Sequence, residues 1–249
     1  MTERDNVVIN LCDRPISVLQ KSLNDYKEKY FQIGSYSCEN YFKAVVKLVD
    51  KFCDCKFDLV IPVFPEHMLY ILEDNNFKKL LDCSSMIVVN DFGMLEYFSD
   101  KKRLRMGRMF FRDYRDKRYQ DYDYGEYYGK AQELLSFVKN CGFSVSAIEN
   151  DIITKKYNLS IDKDFVKYYH YPYRQISAGH ICEYSAIGVG IEDKFKPDDN
   201  CDMQCAKVFI KSSAGYIKIG KNIYDIIDES YLSVVSQNDY IIYTPRWEL

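Results

Sequence analysis

The sequence predicts an α/β fold, a TIM-like (β/α) barrel in complete or in incomplete, distorted form, with a cysteine-bearing C-terminal segment. Three observations carry that expectation. Short β-branched or aromatic runs alternate with longer segments of helical period through the first two thirds of the chain, the pattern of βα units around a parallel sheet. Six such runs fall before residue 150, joined by connections longer than antiparallel strands need. No glycine-rich phosphate turn follows the first run, where an open dinucleotide-binding sheet would place its G-x-G-x-x-G.

The elements follow in order. Val7 to Asn10 is the first strand, and Ile16, Leu19, Leu23 and Tyr26 then recur at spacings of three and four, giving a helix with one apolar stripe. Tyr30 to Ser35 is the second strand, followed by a helix marked by Ala44, Val45, Leu48, Val49 and Phe52. Further strands are expected at Leu59 to Phe64, Met86 to Asn90, Leu104 to Met109 and Phe143 to Ile148. Helices between them are expected at Glu66 to Leu81, Gly93 to Phe98 and Glu126 to Asn140. After residue 150 the rhythm changes to shorter strands, at Val166 to Ile176, Val208 to Ser212, Tyr216 to Ile219 and Tyr240 to Tyr243.

Length and composition fit one barrel-like domain over residues 1–249: 47% of the 249 residues are hydrophobic and 16% aromatic, enough for a full-sized core. Residues 112–128 break the alternation with six tyrosines among charged residues, which predicts an inserted loop that docks a partner or is simply solvated. The formal net charge of -3 gives no general attraction to phosphate backbones, so nucleic acid is not an indicated partner. No stretch approaches the roughly 18 apolar residues of a membrane helix. The charged opening Met1 to Asn6, with no apolar signal region after it, predicts a cytoplasmic protein.

The chemistry is concentrated in cysteines. Nine is an odd number, so complete internal pairing is impossible, and in a reducing compartment clustered thiols read as ligands before disulfides. The segment 179–207 holds Cys182 and, after eighteen intervening residues, Cys201-x-x-x-Cys205. A spacing of four puts both thiols on one face of a loop or helical turn, and the preceding Pro197 to Asn200 is turn chemistry. A closed site needs a fourth ligand. Cys38, just after the second strand at the C-terminal rim of the expected barrel, is the choice, with Cys12 in reserve. Zinc and an iron-sulfur cluster both accept four thiolates. Cys53 and Cys55 form a weaker C-x-C pair, and Cys83 and Cys141 read as small core residues. Asp91 and Arg108 end successive strands at the same rim and suit a polar substrate, unless they pair with each other, and His180 beside Cys182 suits proton transfer or ligand orientation. No G-x-S-x-G, H-E-x-x-H or P-loop is present.

Five stretches in order resemble the U-thirty-two, or collagenase-like, peptidase family, and within it the UbiU and UbiV branch. They are Ile33 to Cys38, Val88 to Gly93, Met106 to Phe110, Gly179 to Ser185, and Cys201-x-x-x-Cys205. The resemblance implies a TIM-like barrel and a four-iron four-sulfur cluster on Cys38, Cys182, Cys201 and Cys205. It also implies an oxygen-independent, hydroxylation-type modification of a small-molecule or peptide substrate, by this chain alone or as accessory subunit of a related heterodimer partner. The family name offers a peptidase as an alternative, and a zinc-stabilised, non-catalytic binding subunit is the third expectation.

Overall fold

The computed structural model describes residues 6–14, 16–101, 103–111, 124–151, 164–179, 182, 184, 189–193, 201, 210–213, 215–219 and 221–245. Eight parallel strands close into a barrel. They are β1 (Val7–Asn10), β2 (Phe31–Gly34), β3 (Phe57–Val60), β4 (Ile87–Val89), β5 (Leu104–Met106), β6 (Val145–Asp151), β7 (Val166–Tyr171) and, after an excursion, β12 (Tyr240–Tyr243). Their order around the barrel follows the chain, and β12 closes it between β7 and β1, with Val8 opposite Ile242 and Ile241 opposite Tyr169. The excursion is a four-stranded antiparallel sheet of β8 (Tyr173–Ala178), β9 (Ile210–Lys211), β10 (Ile217–Ile219) and β11 (Asn222–Ile226), in the order β8-β11-β10-β9.

Successive side chains of a strand point to opposite faces, and here the two faces differ in chemistry. Outward residues Ile9, Phe31, Leu59, Ile87, Leu104 and Ile148 form one buried apolar layer with residues from the surrounding helices. Those helices are α1 (Ile16–Tyr26), α2 (Glu39–Val46), α3 (Asn75–Cys83), α4 (Phe92–Tyr97) and α5 (Tyr124–Asn140). Leu19, Phe42, Phe77, Leu95 and Leu135 are their contributions to the layer. Behind β7 and β12 a 3-10 turn, Glu229–Val234, and its flanks take the helix's place, with Ile227 and Val235 packed on Tyr169 and Ile241.

Two glycines set close approaches at the C-terminal end. A Cβ on Gly34 would lie 2.0 Å from the Val60 carbonyl oxygen, and its φ of +114° disfavours any other residue. A Cβ on Gly107 would lie 2.2 Å from Asn90 Oδ1.

Several elements differ from the sequence expectation. The helix expected over Glu66 to Leu81 is a 3-10 turn, Glu66–Glu73, followed by α3, because Asp74 leaves the helical conformation and its Oδ1 accepts from the amides of Asn76 (2.7 Å) and Phe77 (3.3 Å). The helix after β2 ends at Val46, and a 3-10 turn, Val49–Lys51, takes up its last residues. The single strand expected over Val166 to Ile176 is two, divided at Pro172, which cannot donate to a ladder; beyond it the chain leaves the barrel for the second sheet. β11, which carries Asn222 and Asp225, is not among the strands the sequence predicts. Residues 124–128 of the expected inserted loop belong to α5, and residues 112–123 lie outside the described residues. Cys141 is exposed and so is not a core residue, whereas the half-buried Cys83 packs on the apolar layer. No helix among the described residues is long and apolar enough to cross a membrane.

Candidate functional site

The inward faces of the strands carry polar groups where a barrel of this kind usually packs aliphatic layers. Arg105, fully buried on β5, donates from Nη1 to Asp58 Oδ2 (2.8 Å) and from Nη2 to Gln32 Oε1 (2.9 Å). Glu149 Oε1 stands 3.1 Å from the same Nη2, and the guanidinium carbon lies 4.0 Å from the Tyr168 ring centroid. Gln32 Nε2 donates to Asn10 Oδ1 (3.1 Å) and to the Tyr36 hydroxyl (2.6 Å), which donates in turn to Glu149 Oε2 (2.9 Å). His170 Nε2 reaches the same Glu149 oxygen at 3.1 Å, and the Tyr30 hydroxyl closes the far end by donating to Asp58.

One guanidinium thus lies between two buried carboxylates, and each titrates differently. Burial works to raise Glu149, but Arg105, then His170 and Tyr36, hold it below the usual carboxylate range. For Asp58 burial outweighs Arg105 and the carboxyl stays above its usual range. Burial, with Arg108 adding to it, lowers the basicity of His170 and favours the neutral ring. A neutral ring that donates from Nε2 leaves Nδ1 an acceptor, and Nδ1 has no hydrogen-bond partner among the described residues.

Above this network lies the C-terminal mouth, lined by Asn10, Cys12, Asp13, Tyr36, Arg108 and Thr244 from the barrel and by Tyr173 and Tyr224 from the second sheet. The cavity is about 10 Å³, the room of about one water molecule. Arg108 sits in a 3-10 turn after β5 and is gripped from two sides by Asp151: Nε donates to Oδ2 at 3.2 Å and Nη2 to Oδ1, while Nη2 also donates to the Tyr173 carbonyl at 3.1 Å. Its guanidinium carbon lies 5.5 Å and 5.6 Å from the Tyr36 and Tyr224 ring centroids. Asp13, in the same lining, has a left-handed backbone, φ 57°, an uncommon conformation for a non-glycine residue. Its carboxylate accepts from the Ser35 hydroxyl and, at 3.4 Å, from the Tyr36 amide. Burial pushes the Asp13 carboxyl up to about 6 against those two hydrogen bonds.

The second sheet is tied to the rim. Asn222 Nδ2 donates to Ser37 Oγ (3.0 Å), Gln175 Nε2 donates to Asn222 Oδ1 (2.9 Å), and the Gln175 amide donates to Asp151 Oδ1 (3.1 Å). These contacts bring the end of β8 beside Cys38: Asn222 is the ladder partner of Ala178, and the Gly179 amide donates to the Lys221 carbonyl at 2.7 Å. From there the chain runs on to Cys182. Cys38 itself precedes α2 and donates its amide to Ser35 Oγ at 2.7 Å. Burial, then Asp13, pushes its thiol up to about 12; Cys201 adds to the rise, while the Tyr41 amide and Lys221 oppose it.

The candidates that the sequence singles out therefore separate in space. Cys38 and Cys201 come within charge-interaction reach on the rim. Cys182 is described, and Cys205 and His180 lie outside the described residues. Among the described residues no group of three His, Cys, Asp or Glu side chains stands ready to hold a metal ion. Cys38, Cys182 and Cys201 are thus not drawn into one group, and what fits a metal or cluster is the soft thiol chemistry of these side chains. Asp91 and Arg108 do not pair with each other: Arg108 is held by Asp151, whereas Asp91 caps α4 by accepting from Met94 N–H (2.8 Å) and also accepts from Phe64 N–H (2.7 Å). Sequence reasoning misses the lumen residues Gln32, Asp58, Arg105, Glu149 and His170, and the mouth residue Asp13. The signal for Gln32, Asp58, Arg105 and His170 is a single polar residue set between apolar or aromatic neighbours within a strand, whereas Glu149 stands in the polar run Glu149-Asn150-Asp151.

No family model matches the chain, and neither a curated protein nor a solved structure matches it.

Proposed function

We propose that this chain is an iron-sulfur protein in which Cys38, Cys182, Cys201 and Cys205 hold a four-iron four-sulfur cluster at the C-terminal rim of the barrel. On this reading it supports an oxygen-independent, hydroxylation-type modification of a small polar substrate, alone or as accessory subunit of a related partner. What supports the reading is the place of Cys38 just past β2, at the C-terminal end of the barrel, with Cys201 near enough to add to the rise of its thiol. The path of β8 adds to it, since the chain leading to Cys182 leaves the second sheet beside Ser37 and Cys38. Burial alone disfavours a free Cys38 thiolate, so a bound cation that takes the place of the proton gives this side chain a reason to be where it is.

When bound, such a cluster supplies one-electron chemistry. The chain's own groups do the rest. Arg108, fixed by Asp151, presents a cation to a polar or anionic substrate group at the mouth. Asp13, its carboxyl pushed up to about 6, holds or releases a proton in the same cavity. Tyr173 and Tyr224 of the second sheet cover the mouth and limit water. The peptidase reading has less support, because Ser35 Oγ is engaged by Asp13 and by the Ser37 and Cys38 amides, an arrangement without the histidine base that a serine nucleophile uses.

The test is the visible spectrum of anaerobically purified protein beside that of Cys201→Ala. Broad visible absorbance, bleached by air, is expected in the first, and its loss in the variant. An equally coloured, equally active Cys201→Ala protein would remove the assignment.

A further inference from the structure

Cys53 and Cys83 take no part in the lumen or the rim. Cys53 lies in the turn after the 3-10 turn Val49–Lys51, and Cys83 is the last residue of α3. Both are free, half-buried thiols packed on the outer apolar layer. Lys79 Nζ donates to Asp50 Oδ1 at 2.6 Å, which ties α3 to that turn. Cys83 stands one helical turn beyond Lys79 and Cys53 three residues beyond Asp50, so the next meeting of the two elements is theirs. There the Cys83 thiol lies close enough to Cys53 to act on its ionisation.

The backbone is anchored on both sides of the pair. The Ser84 amide donates to Leu80 O and Leu81 O, and Arg103 Nη1 donates to the Ser84 carbonyl at 2.6 Å. Across from it the Cys55 amide donates to Phe52 O at 2.8 Å. The Cys55 thiol is turned back to the Lys51 carbonyl at 4.0 Å, which leaves Cys53 as the thiol facing Cys83.

We propose that Cys53 and Cys83 are a thiol-oxidation site that closes into a reversible disulfide, with low-molecular-weight disulfides as the oxidant. One protein thiolate attacks a sulfur of the small disulfide, forming a mixed disulfide and expelling a first small thiolate. The second protein thiolate then attacks the protein sulfur of that mixed disulfide, forming the Cys53–Cys83 bond and expelling a second small thiolate. Two protein thiols are oxidised, one disulfide is reduced to two thiols, and the two protons pass from the protein thiols to the expelled thiolates. In a reducing compartment a bond of this kind is transient and senses the thiol pool. Burial, then the neighbouring Cys83 thiol, pushes the Cys53 thiol up to about 11, so exchange through Cys53 accelerates as pH rises.

The experiment uses the full chain, reduced and anaerobic, treated with oxidised glutathione, blocked with N-ethylmaleimide and digested without reductant for peptide mass mapping. The expected product is a cross-linked peptide joining Cys53 to Cys83 that dithiothreitol removes. With it comes a thermal midpoint about 5 °C or more higher than that of the reduced protein, a rise absent from Cys83→Ser. Recovery of Cys53 and Cys83 as separate maleimide or glutathione adducts, or joined to any other cysteine, would overturn the proposal. The wild-type map decides even where Cys83→Ser fails to fold.

Discussion

The two faces of the barrel strands carry opposite chemistry within single elements. On β2, Phe31 and Ile33 face the helices while Gln32 faces the lumen, and on β3, Phe57 and Leu59 flank Asp58. The outer face needs only shape and apolar area, because its partners are other aliphatic and aromatic side chains. The inner face places charges where desolvation costs several kcal/mol per ion, and there Asp58 and Glu149 share the Arg105 guanidinium while Tyr30, Tyr36 and His170 supply further hydrogen bonds. Such a lumen is a poor way to gain stability alone, and its polar groups converge on the mouth where Asp13, Arg108 and the rim cysteines lie.

The sharpest way to break the contrast is Arg105→Met. It leaves Asp58 and Glu149 facing each other without a cation and is expected to cost about 3–5 kcal/mol, read as a lower urea midpoint. Leu59→Ala cuts the outer face instead; the expected cost is about 2–5 kcal/mol, read in the same way, and the absorbance of the proposed cluster per folded chain is expected to be unchanged. Loss of that absorbance in a folded Leu59→Ala protein would erase the distinction between the faces.

Asp13→Asn sharpens the comparison through pH. The Asp13 carboxyl rises from 3.8 to about 6 in the folded state, so the fold binds the proton more tightly than the unfolded chain does. Its favourable contribution is full below about pH 4 and is lost as pH rises through 6. The variant is therefore expected to gain on the wild type between those values, by about 1–2 kcal/mol after allowance for solvent at the mouth. A stability difference that is flat with pH would contradict the protonation of Asp13. The smallest effect belongs to the second sheet, where Arg174 donates to both Asp225 oxygens in a part-buried pair. Arg174→Gln is expected to cost about 1 kcal/mol or less in thermal unfolding.

Much of this fold is legible because helical and strand periods differ and the outer face is apolar in every unit; β1, β4 and β12 lie where their aliphatic runs predict. The rim position of Cys38 follows from the same alternation, since a residue just past a barrel strand lies at the C-terminal end. Three things are hidden. Asp74 looks like one more polar residue inside a helical period, yet its side chain caps α3. Pro172 marks the exit from the barrel inside a run whose composition is that of one continuous strand. The partners of Arg108 and Arg105 depend on register across the closed barrel, which no local spacing encodes: Asp91 ends the strand before Arg108, but the carboxylate that holds Arg108 is Asp151, at the end of the strand after it.

The most direct test of the central claim is iron and acid-labile sulfide analysis of the anaerobically purified chain beside Cys38→Ser. Iron and sulfide in equal amounts are expected in the wild type, with a loss of both in the folded variant. Zinc without sulfide, or a folded wild-type chain that binds no metal, would contradict it.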